Sequence, residues 1–584
     1  MVAPKSREPQ IWGWLLTHRS APGREARRYD LTPGHSLFVI SHEAGRSVDE
    51  ARRFFFRGTA IDYRSGSVVF GTDGARRCWG AAPRAPLEGE YVTADWSVDG
   101  SVHLGRDLFA NVPLLYSRCG DVVVAADSLL LIADLRSHLD HPNTPDMVGL
   151  TSRAPGGTLF GQQVSMRTYI QEITFLPTGH ELTVVCGSGG VTAQVVSTSL
   201  PEVFEHDDED YAATLVRCAN NVARLAAGLC QVEDLTPKLN LSGGLDSRVV
   251  LAGTVAAEVT RQFRFFTQGT NAVNQPDFAA ASGLARHLDL TLKPKALPPG
   301  PTRSDVDWDV LTLWAASGLG LYDYIIPRRR SKDPEPVIPV LGMGAETVKG
   351  NYGWRDLPGL VQGLPGAIRD EVHEELVAGL DSLGVSPEDA HALEWHYVGY
   401  RNGLHGGRHV ANHLTGISPL EQRDLVGLVH SDANEHPRPA KGEPSVITDL
   451  LIALSPELAL MPFDDPKKDL DVAFVRSRAD RLSERSRRLE VTPFEIHGHP
   501  RDVPEGPSRA SIEIARIHGM TGVSGTAELL ELSRGAMDVV PTGPLRDQYA
   551  ALHRAATARL VTQQAPMGTV AGVGKLLAVL ALLG

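Results

Sequence analysis

The fold of this chain is decided by the stretch Lys238-Leu239-Asn240-Leu241-Ser242-Gly243-Gly244-Leu245-Asp246-Ser247-Arg248-Val249-Val250. Its first leucines alternate with polar residues, as in a short β-strand, and an uninterrupted apolar run typical of a helix begins at Arg248. The paired glycines between them allow positive φ angles and close approach of the backbone. The stretch therefore predicts a strand, a tight turn and the start of a helix.

The turn has the composition of an anion-binding loop. Successive N–H groups of Gly243 and Gly244 can point at one anion beside the positive end of the new helix. The hydroxyls of Ser242 and Ser247 can donate to phosphate oxygens, and Asp246 supplies a hard oxygen ligand suited to Mg²⁺. An ordinary strand-to-helix turn is the simpler alternative. The stretch lacks the Gly-x-x-x-x-Gly-Lys-Ser/Thr pattern of a Walker loop, so we do not expect a P-loop lysine.

The segment Ser242–Ser247 resembles the pyrophosphate loop of the asparagine synthetase superfamily. Members of that superfamily split ATP between its α- and β-phosphates and adenylate a carboxylate. The resemblance implies ATP and Mg²⁺ as cofactors, with Asp246 as a metal ligand and catalytic residue. The residues that it places at the nucleotide are Leu241, Ser242, Gly243, Gly244, Asp246 and Ser247.

Composition limits the possible partners and compartments. A chain of 584 residues, 42% of them hydrophobic, can bury a large core and should hold more than one domain. The net charge of −13 argues against a nucleic-acid partner, because binding to a phosphate backbone requires basic clusters. Five scattered cysteines without a Cys-x-x-Cys pair suit a reducing compartment, and we expect a cytoplasmic protein.

Neither end of the chain predicts a membrane segment. The N-terminus has no pattern of a secretory signal. The apolar tail at 570–583 is too short to span a bilayer, so a packed terminal helix is the favoured interpretation. Contact of this tail with a membrane surface or a partner is the alternative.

Residues 37 to about 195 contain short β-rich runs separated by Gly, Asp and Pro turns, which predict a mostly antiparallel sheet domain. Two strings in this region, Arg106–Tyr116 and Phe175–His180, resemble the class II glutamine amidotransferase domain of asparagine synthetases. The resemblance implies an Ntn-hydrolase-like αββα sandwich over residues 1–205. In that family a cysteine at position 2 attacks glutamine. Because this chain has Val2, we expect a degenerate domain that serves as a scaffold without glutaminase activity.

Residues 206–584 form the second predicted domain. Beyond the glycine turn, predicted strands at Phe263–Thr267 and Leu290–Leu292 flank a predicted helix that begins near Pro276. Such alternation predicts a doubly wound parallel sheet that binds ligands at the carboxyl ends of its strands. The resemblance implies an adenine nucleotide α-hydrolase-like fold with a helical extension. The fold class expected for the whole chain is α/β together with α+β.

In the family, the segment that follows the second strand of this sheet holds the adenine side of ATP. Thr267 and Gly269, followed by Asp277, match that pattern. The simpler interpretation of Asp277 is an acid in the first turn of a helix.

The stretch Val337–Tyr352 resembles the second loop of the family, Gly-x-Gly-x-Asp-Glu followed by glycine and an aromatic residue. Gly342 and Gly344 match the two glycines, and Glu346 falls where the family places a second Mg²⁺-binding aspartate. Between the glycines, asparagine synthetases have glutamate and β-lactam synthetases have tyrosine. Here the residue is Met343, whose thioether cannot hold ammonia by charge or act as an acid or base. We therefore expect neither of those two reactions.

Two further groups of residues are candidates for chemistry. The late lysine of the family, which stabilises the pentavalent phosphorus, has no unambiguous counterpart here. Its candidates are Lys467, Lys468 and Lys575, and a solvated lysine is the simpler interpretation of each.

The second group comprises His405, His409 and His413, which recur at the four-residue spacing of ligands on one helix face. Gly406-Gly407 interrupts the helical pattern. Residues that line a loop or groove are therefore a simpler interpretation than a zinc site.

Together these features predict an AMP-forming, ATP-dependent C–N ligase. The resemblance implies that Asp246 and Glu346 hold Mg²⁺ on the phosphates while a substrate carboxylate attacks the α-phosphorus. An amine then attacks the acyl-adenylate. Because the glutaminase nucleophile is missing, we expect an organic or intramolecular amine on a small-molecule or peptide substrate.

Lasso-peptide macrolactam cyclases and β-lactam synthetases are family members of this kind, and both belong to antibiotic biosynthesis. A precursor peptide and its protease are the partners that a macrolactam cyclase implies. Two alternatives remain open. One is a synthetase that uses free ammonia or another nitrogen donor, and the other is a catalytically degenerate binding partner.

Overall fold

The fold was analysed in a computed structural model. It describes residues 1–20, 24–156, 159–205, 210–268, 275–295, 306–307, 310–325, 328–329, 336–349, 356–407, 415–437, 439, 442–485, 489–504, 506–523, 525–561 and 571–584.

The strands are β1 Val2–Pro4, β2 Ala26–Thr32, β3 His35–Ile40, β4 Val48–Asp49, β5 Phe54–Asp62, β6 Ser67–Phe70, β7 Glu88–Trp96, β8 Ser101–Arg106, β9 Leu114–Cys119, β10 Val122–Ala126, β11 Ile173–Leu176, β12 His180–Gly187, β13 Gly190–Ser197, β14 Thr236–Asn240, β15 Arg264–Gln268, β16 Leu292–Lys295, β17 Val306–Asp307, β18 Arg328–Arg329, β19 Val337–Val340 and β20 Glu495–His497.

The α-helices are α1 Glu8–Thr17, α2 Ala44–Ser47, α3 Gly71–Cys78, α4 Leu129–His138, α5 Met147–Arg153, α6 Leu200–Val203, α7 Tyr211–Leu229, α8 Leu245–Ala256, α9 Gln275–His287, α10 Val310–Ser317, α11 Ala345–Val348, α12 Leu357–Gln362, α13 Gly366–Ser382, α14 Ala392–His396, α15 Gly403–Gly406, α16 Arg423–His430, α17 Val446–Leu454, α18 Pro456–Ala459, α19 Val472–Arg485, α20 Arg509–Ile517, α21 Thr526–Arg534, α22 Ala536–Val539, α23 Pro544–Val561 and α24 Ala571–Leu583.

The chain is mixed α/β and has several sheets. Its first part builds two mostly antiparallel sheets, one in the order β11-β9-β10-β1-β3-β2 and the other in the order β13-β12-β8-β7-β5-β6-β20, with β4 paired to β5. Alternation along β5 separates two cores, because successive side chains of a strand point to opposite faces. Phe55 packs with Leu37 and Val123 between the sheets, whereas Phe54 and Phe56 belong to the core on the side of α3.

The opposite face of the six-stranded sheet packs against α1 and α4. The first part is therefore layered as helix, sheet, sheet, helix. The sequence correctly predicted its mostly antiparallel strands.

The second part contains a parallel sheet in the order β16-β15-β14-β19. Leu239 of β14 lies between Phe265 of β15 and Val340 of β19. Helices α7, α8 and α17 share one apolar core with this sheet. The predicted strand at Leu239 and the helix after Pro276 are confirmed by β14 and α9.

The strand predicted at Leu290–Leu292 begins only at Leu292. The reason lies in the end of α9, where Asp289 adopts a left-handed φ of 53°. The N–H of Leu290 then donates to the carbonyl oxygen of Ala285 at 2.8 Å, which closes the helix before the strand can start.

The end of the chain returns to the first part. Strand β20 pairs in parallel with β6 at one edge of the eight-stranded sheet. Helix α24 buries Leu576 and Leu577, which confirms the packed terminal helix predicted from the sequence. No helix among the described residues is both long enough and apolar enough to cross a bilayer.

The crossing of α7 and α8 gives a stability test. A Cβ at Gly253 of α8 would lie 2.5 Å from Cγ1 of Val222, whereas a Cβ at Gly283 of α9 would meet no atom within 4 Å. We expect Gly253→Ala to lower the free energy of unfolding by about 1–3 kcal/mol through overpacking. Gly283→Ala should raise it by about 0.5–1 kcal/mol, because alanine favours the helix.

Denaturant unfolding of both variants beside the wild type measures this difference. Equal effects of the two substitutions would contradict the close approach of α7 and α8.

Candidate nucleotide site

The predicted strand–turn–helix is present as β14, the glycine turn and α8. The turn is closed by its two serines, whose Oγ atoms lie 3.0 Å apart. The backbone N–H of Ser242 donates to Oγ of Ser247 at 3.0 Å, and that of Gly244 donates to Oγ of Ser242 at 3.3 Å. The serines therefore hold the shape of the turn before any ligand arrives.

Gly243 is required by crowding. A Cβ at this position would lie 2.7 Å from Cβ of Ala280 and 2.9 Å from Cβ of Asp464. Its N–H donates to Oδ1 of Asp277 at 2.7 Å. Asp277 thus lies in the first turn of α9, as the simpler interpretation of the sequence predicted, and it also contacts the glycine turn. Burial raises the pKa of the Asp277 carboxyl, although its hydrogen bond from Gly243 opposes the shift.

Sequence analysis did not identify Arg248 as a site residue, yet this side chain links the glycine turn to the segment at 461–463. Its guanidinium is fully buried and lies 3.7 Å from the centre of the Phe463 ring. It donates to the carbonyl oxygens of Met461 at 2.6 Å and Pro462 at 2.7 Å. Burial lowers the pKa of Arg248 to about 10. An arginine inside an otherwise apolar helix start, Arg248-Val249-Val250, is the signal that could have revealed it.

The segment that Arg248 holds carries two of the candidate lysines. The N–H of Asp464 donates to the carbonyl oxygen of Gly243 at 3.2 Å, and Nζ of Lys468 lies 2.9 Å from Oδ1 of Asp464. Lys468 is therefore linked to the glycine turn through Asp464, whereas Lys467 is exposed.

Lys575 lies in a different environment. Its buried ammonium donates to the carbonyl oxygens of Arg153 and Pro155 at 2.5 Å each. Burial lowers the pKa of Lys575 to about 7. These contacts tie α24 to the end of α5, so the side chain is engaged away from the turn.

The second loop follows β19 and touches the first. A Cβ at Gly342 would lie 3.1 Å from Cβ of Asp246 and 3.2 Å from the backbone nitrogen of Ser247. Gly344 has a φ of 86°, which favours glycine, and its Cα faces the backbone of Glu421. The half-buried Met343 lies between these two close approaches.

Lys349 is the main residue that sequence reasoning missed. It follows α11, and its Nζ lies 2.8 Å from Oδ1 and 2.9 Å from Oδ2 of Asp246. The side chains of both residues are partly exposed, at 23% for Lys349 and 32% for Asp246. The only sequence signal was a lysine three residues after Glu346, and sequence spacing alone does not place it against the first loop.

Glu346 of α11 and Thr267 of β15 each carry a polar atom without a hydrogen-bond partner among the described residues. Within the described part of the chain, Oε2 of Glu346 and Oγ1 of Thr267 are buried and accept no hydrogen bond. Gly269 lies outside the described residues. No group of three or more His, Cys, Asp or Glu side chains arranged to hold a metal is found among the residues that the structure describes.

Mg²⁺ commonly takes one or two protein carboxylates together with phosphate oxygens and water. The carboxylates of Asp246 and Glu346, which follow the two touching loops, fit such a shared ligand set by their chemistry. The unpaired buried oxygen of Glu346 is the observation that supports this fit.

A buried polar cluster lies behind the second loop. Glu421 accepts hydrogen bonds from Nδ2 of Asn111 at 2.9 Å and from Nδ2 of Asn402 at 3.1 Å. Burial raises the pKa of Glu421 to about 8 and that of Glu88 to about 7. The pKa of Glu90 is raised well above its ordinary value for the same reason. This cluster joins the eight-stranded sheet to the loop that carries Glu346.

The histidine stripe is only partly described. Nδ1 of His405 lies 2.6 Å from the hydroxyl oxygen of Tyr322. His409 and His413 lie outside the described residues. Gly407 is explained by packing, because a Cβ there would lie 1.8 Å from the carbonyl oxygen of Asn111.

A comparison with protein-family models finds none that matches this chain, and a comparison with curated proteins finds no significant match.

The buried acids make stability depend on pH. Because burial raises the pKa of Glu88 from 4.5 to about 7, the folded protein binds more protons than the unfolded chain between these values. This carboxyl therefore costs stability as the pH rises through that window. In the wild type the backbone N–H of Arg423 donates to Oε1 of Glu88 at 2.9 Å. Glu88→Gln removes the titratable carboxyl and keeps an oxygen that can accept this hydrogen bond.

We expect the variant to exceed the wild type in free energy of unfolding at pH 8 by at most about 2–3 kcal/mol, and by much less at pH 5. Denaturant unfolding across this pH range measures the difference. Glu495→Gln, at an exposed carboxylate, is the control and should follow the wild type. If the free energy of unfolding of Glu88→Gln depended on pH as that of the wild type does, a raised pKa of Glu88 would be refuted.

Proposed function

We propose that this protein is an ATP-dependent, AMP-forming amide ligase of the asparagine synthetase type. The observation that carries the proposal is the contact between two glycine loops at the ends of neighbouring parallel strands, with Asp246 on one loop and Glu346 on the other. Ligands of open parallel sheets bind in this position, outside the carboxyl ends of the strands.

The proposal includes the organisation of the chain. Residues 1–205 would be a class II amidotransferase-like domain of the Ntn-hydrolase type, without a nucleophile. Residues 206–584 would be a synthetase domain of the adenine nucleotide α-hydrolase type. The layered sheets of the first part and the parallel sheet of the second support this division, and β20 and α24 would be returns of the second part onto the first.

The residues have separate roles in the proposed reaction. The turn from Ser242 to Ser247 receives the pyrophosphate, because its glycines face the start of α8, where an anion is favoured. Asp246 and Glu346 would hold Mg²⁺, which would supply charge stabilisation on the phosphates. The carboxylate of the substrate attacks the α-phosphorus, pyrophosphate leaves, and the amine attacks the resulting acyl-adenylate with release of AMP.

The pair of Lys349 and Asp246 supports a role for this lysine in the same step. If Asp246 held a divalent cation, the Lys349 ammonium would lose its present partner and would be available to pair with phosphate oxygens. A lysine there would supply the positive charge that the family takes from its late lysine. Lys468, paired with Asp464 beside the turn, is the second candidate for this role.

Met343 supports the choice of an organic or intramolecular amine over ammonia. Met343 is half-buried between Gly342 and Gly344 of the second loop, and an apolar side chain beside the proposed site would favour a bulky, partly apolar amine and exclude water. A peptide or other natural-product substrate fits this environment, and macrolactam formation on a precursor peptide is the specific form of the proposal.

The proposal is tested first by the nucleotide. We expect the wild type to bind MgATP and Asp246→Ala to bind it at least about tenfold more weakly, since a ligand of the metal is lost. Titration calorimetry with MgATP measures this without knowledge of the acid. Asp370→Ala, at an exposed position of α13, is the matched control and should bind as the wild type does.

ATP–pyrophosphate exchange in the presence of candidate carboxylic acids then tests adenylation itself. Binding of MgATP that is unaffected by Asp246→Ala would overturn the proposed site.

A second test concerns Lys349. We expect Lys349→Met to slow exchange by about 10²-fold or more, because the step loses a charge that acts on the phosphates. Lys349→Arg should retain part of the rate, since it keeps the charge in a different shape. Lys5→Met, at a lysine paired with Asp30 in the first part of the chain, is the control. An unchanged rate in Lys349→Met would assign that role to Lys468 instead.

A further inference from the structure

The loop at 107–112, which follows β8 in the first part of the chain, is held in one conformation by its own hydrogen bonds. Oδ1 of Asp107 accepts from the backbone N–H of Asn111 at 2.8 Å, and Oδ2 accepts from that of Val112 at 3.1 Å. Ala110 has a φ of 57°, in the left-handed region that favours glycine. The loop therefore presents the side chain of Asn111 from a fixed backbone.

Glycines in and just after α15 receive this loop. A Cβ at Gly403 would lie 2.3 Å from the carbonyl oxygen of Ala110, and one at Gly406 would lie 2.5 Å from Oδ1 of Asn111. Gly407 approaches the carbonyl oxygen of Asn111 more closely still. Because no side chain fits at these three positions, α15 and the loop at 107–112 meet backbone to backbone.

The fully buried side chain of Asn111 bridges two parts of the chain. Its Nδ2 donates to the carbonyl oxygen of Gly89 at 3.0 Å and to Oε2 of Glu421 at 2.9 Å. Oε1 of Glu421 accepts from Nδ2 of Asn402 at 3.1 Å. Burying polar groups is costly, and hydrogen bonds, unlike an apolar contact, fix direction as well as distance. The two amides therefore set the position of the Glu421 carboxyl.

Glu421 in turn packs against the second loop. A Cβ at Gly344 would lie 2.6 Å from Cγ and 2.9 Å from the backbone nitrogen of Glu421. Oγ1 of Thr347 donates to the carbonyl oxygen of Gly344 at 2.7 Å, which ties the same residue to α11. The contacts that begin at Asn111 thus end two residues before Glu346.

We propose that Asn111 is a positioning residue for the second loop: by holding Glu421 against Gly344, it fixes the carboxylate of Glu346 for a nucleotide-bound Mg²⁺. This role rests on the proposed function, in which Glu346 is a ligand of that Mg²⁺. Mg²⁺ demands near-ideal octahedral geometry, so its carboxylate ligands have to be held to within about 0.5 Å. The first part of the chain thereby shapes the proposed nucleotide site without a nucleophile of its own.

The experiment is a double-mutant cycle on the full chain, with MgATP as the probe in titration calorimetry. We expect Asn111→Ala to bind MgATP about 10–100-fold more weakly, as is typical when a group that orients a metal ligand is lost. In the Glu346→Ala background the same substitution should change the affinity by no more than about twofold, because Asn111 acts through Glu346. Equal losses in both backgrounds, or no loss in Asn111→Ala alone, would overturn the positioning role.

Asn143→Ala is the matched control. Asn143 belongs to the same part of the chain, and its Nδ2 donates to the carbonyl oxygen of Ala133 at 2.8 Å. Its loss removes an amide that supports the fold and makes no printed contact with Glu421 or the second loop, so we expect MgATP to bind as it does to the wild type. A loss of affinity equal to that of Asn111→Ala would indicate general loosening and contradict the positioning role.

If Asn111→Ala does not fold, Asn402→Ala removes the other amide that holds Glu421 and carries the same cycle with the same outcomes. Failure of the proposed function is distinguishable from failure of this role. MgATP that binds equally to the wild type and Asp246→Ala, or to neither, overturns the proposed site and this role with it. Losses in Asp246→Ala and Glu346→Ala, without the expected cycle at Asn111, overturn this role alone.

Discussion

The geometry of the glycine turn, the proposed nucleotide site, depends on one buried cation, Arg248. Removing a guanidinium from water is costly unless its donors are paired. Backbone carbonyls of Met461 and Pro462 accept from the two Nη atoms here, whereas Nε has no hydrogen-bond partner among the described residues. The ring of Phe463 covers the remaining face at 3.7 Å. The segment at 461–464 is thereby fixed against the glycine turn, and the crowding at Gly243 is its consequence. This packing and the hydrogen bonds of Ser242, Ser247 and Asp277 together hold the turn in one shape.

A second set of contacts joins the second loop to the first part of the chain. Glu421 faces the backbone of Gly344 on one side and is held by Asn111 and Asn402 on the other. Buried carboxyl groups of this kind favour the protonated form, since burial raises their pKa. The second loop and the eight-stranded sheet are therefore joined through a cluster whose charge changes near neutral pH.

The sequence was sufficient wherever the signal was local. The alternation at Leu239, the helix after Pro276 and the apolar tail each carry their structure in consecutive residues. It was insufficient where the deciding contact joins distant segments. The three residues of β20 carry no distinctive sequence pattern, and they form a strand by pairing with β6. Lys349 likewise contacts Asp246, which lies more than a hundred residues away in the sequence. Asp277 shows the intermediate case, because its local helix position and its distant contact are both real.

The charges around the turn constrain how the proposed reaction could begin. Asp246 is neutralised by Lys349, and Asp464 by Lys468, each at 2.8–2.9 Å. A bare nucleotide would bring several negative charges toward these carboxylates, and a bare divalent cation would have to displace the Lys349 ammonium without any new partner for it. If cation and nucleotide bound together, Asp246 would exchange one cation for another, and the Lys349 ammonium would have phosphate oxygens as new partners. Under the proposed function, the paired state of the free protein would therefore favour the MgATP complex over either component, since the complex would provide each of these charges with a partner of opposite sign.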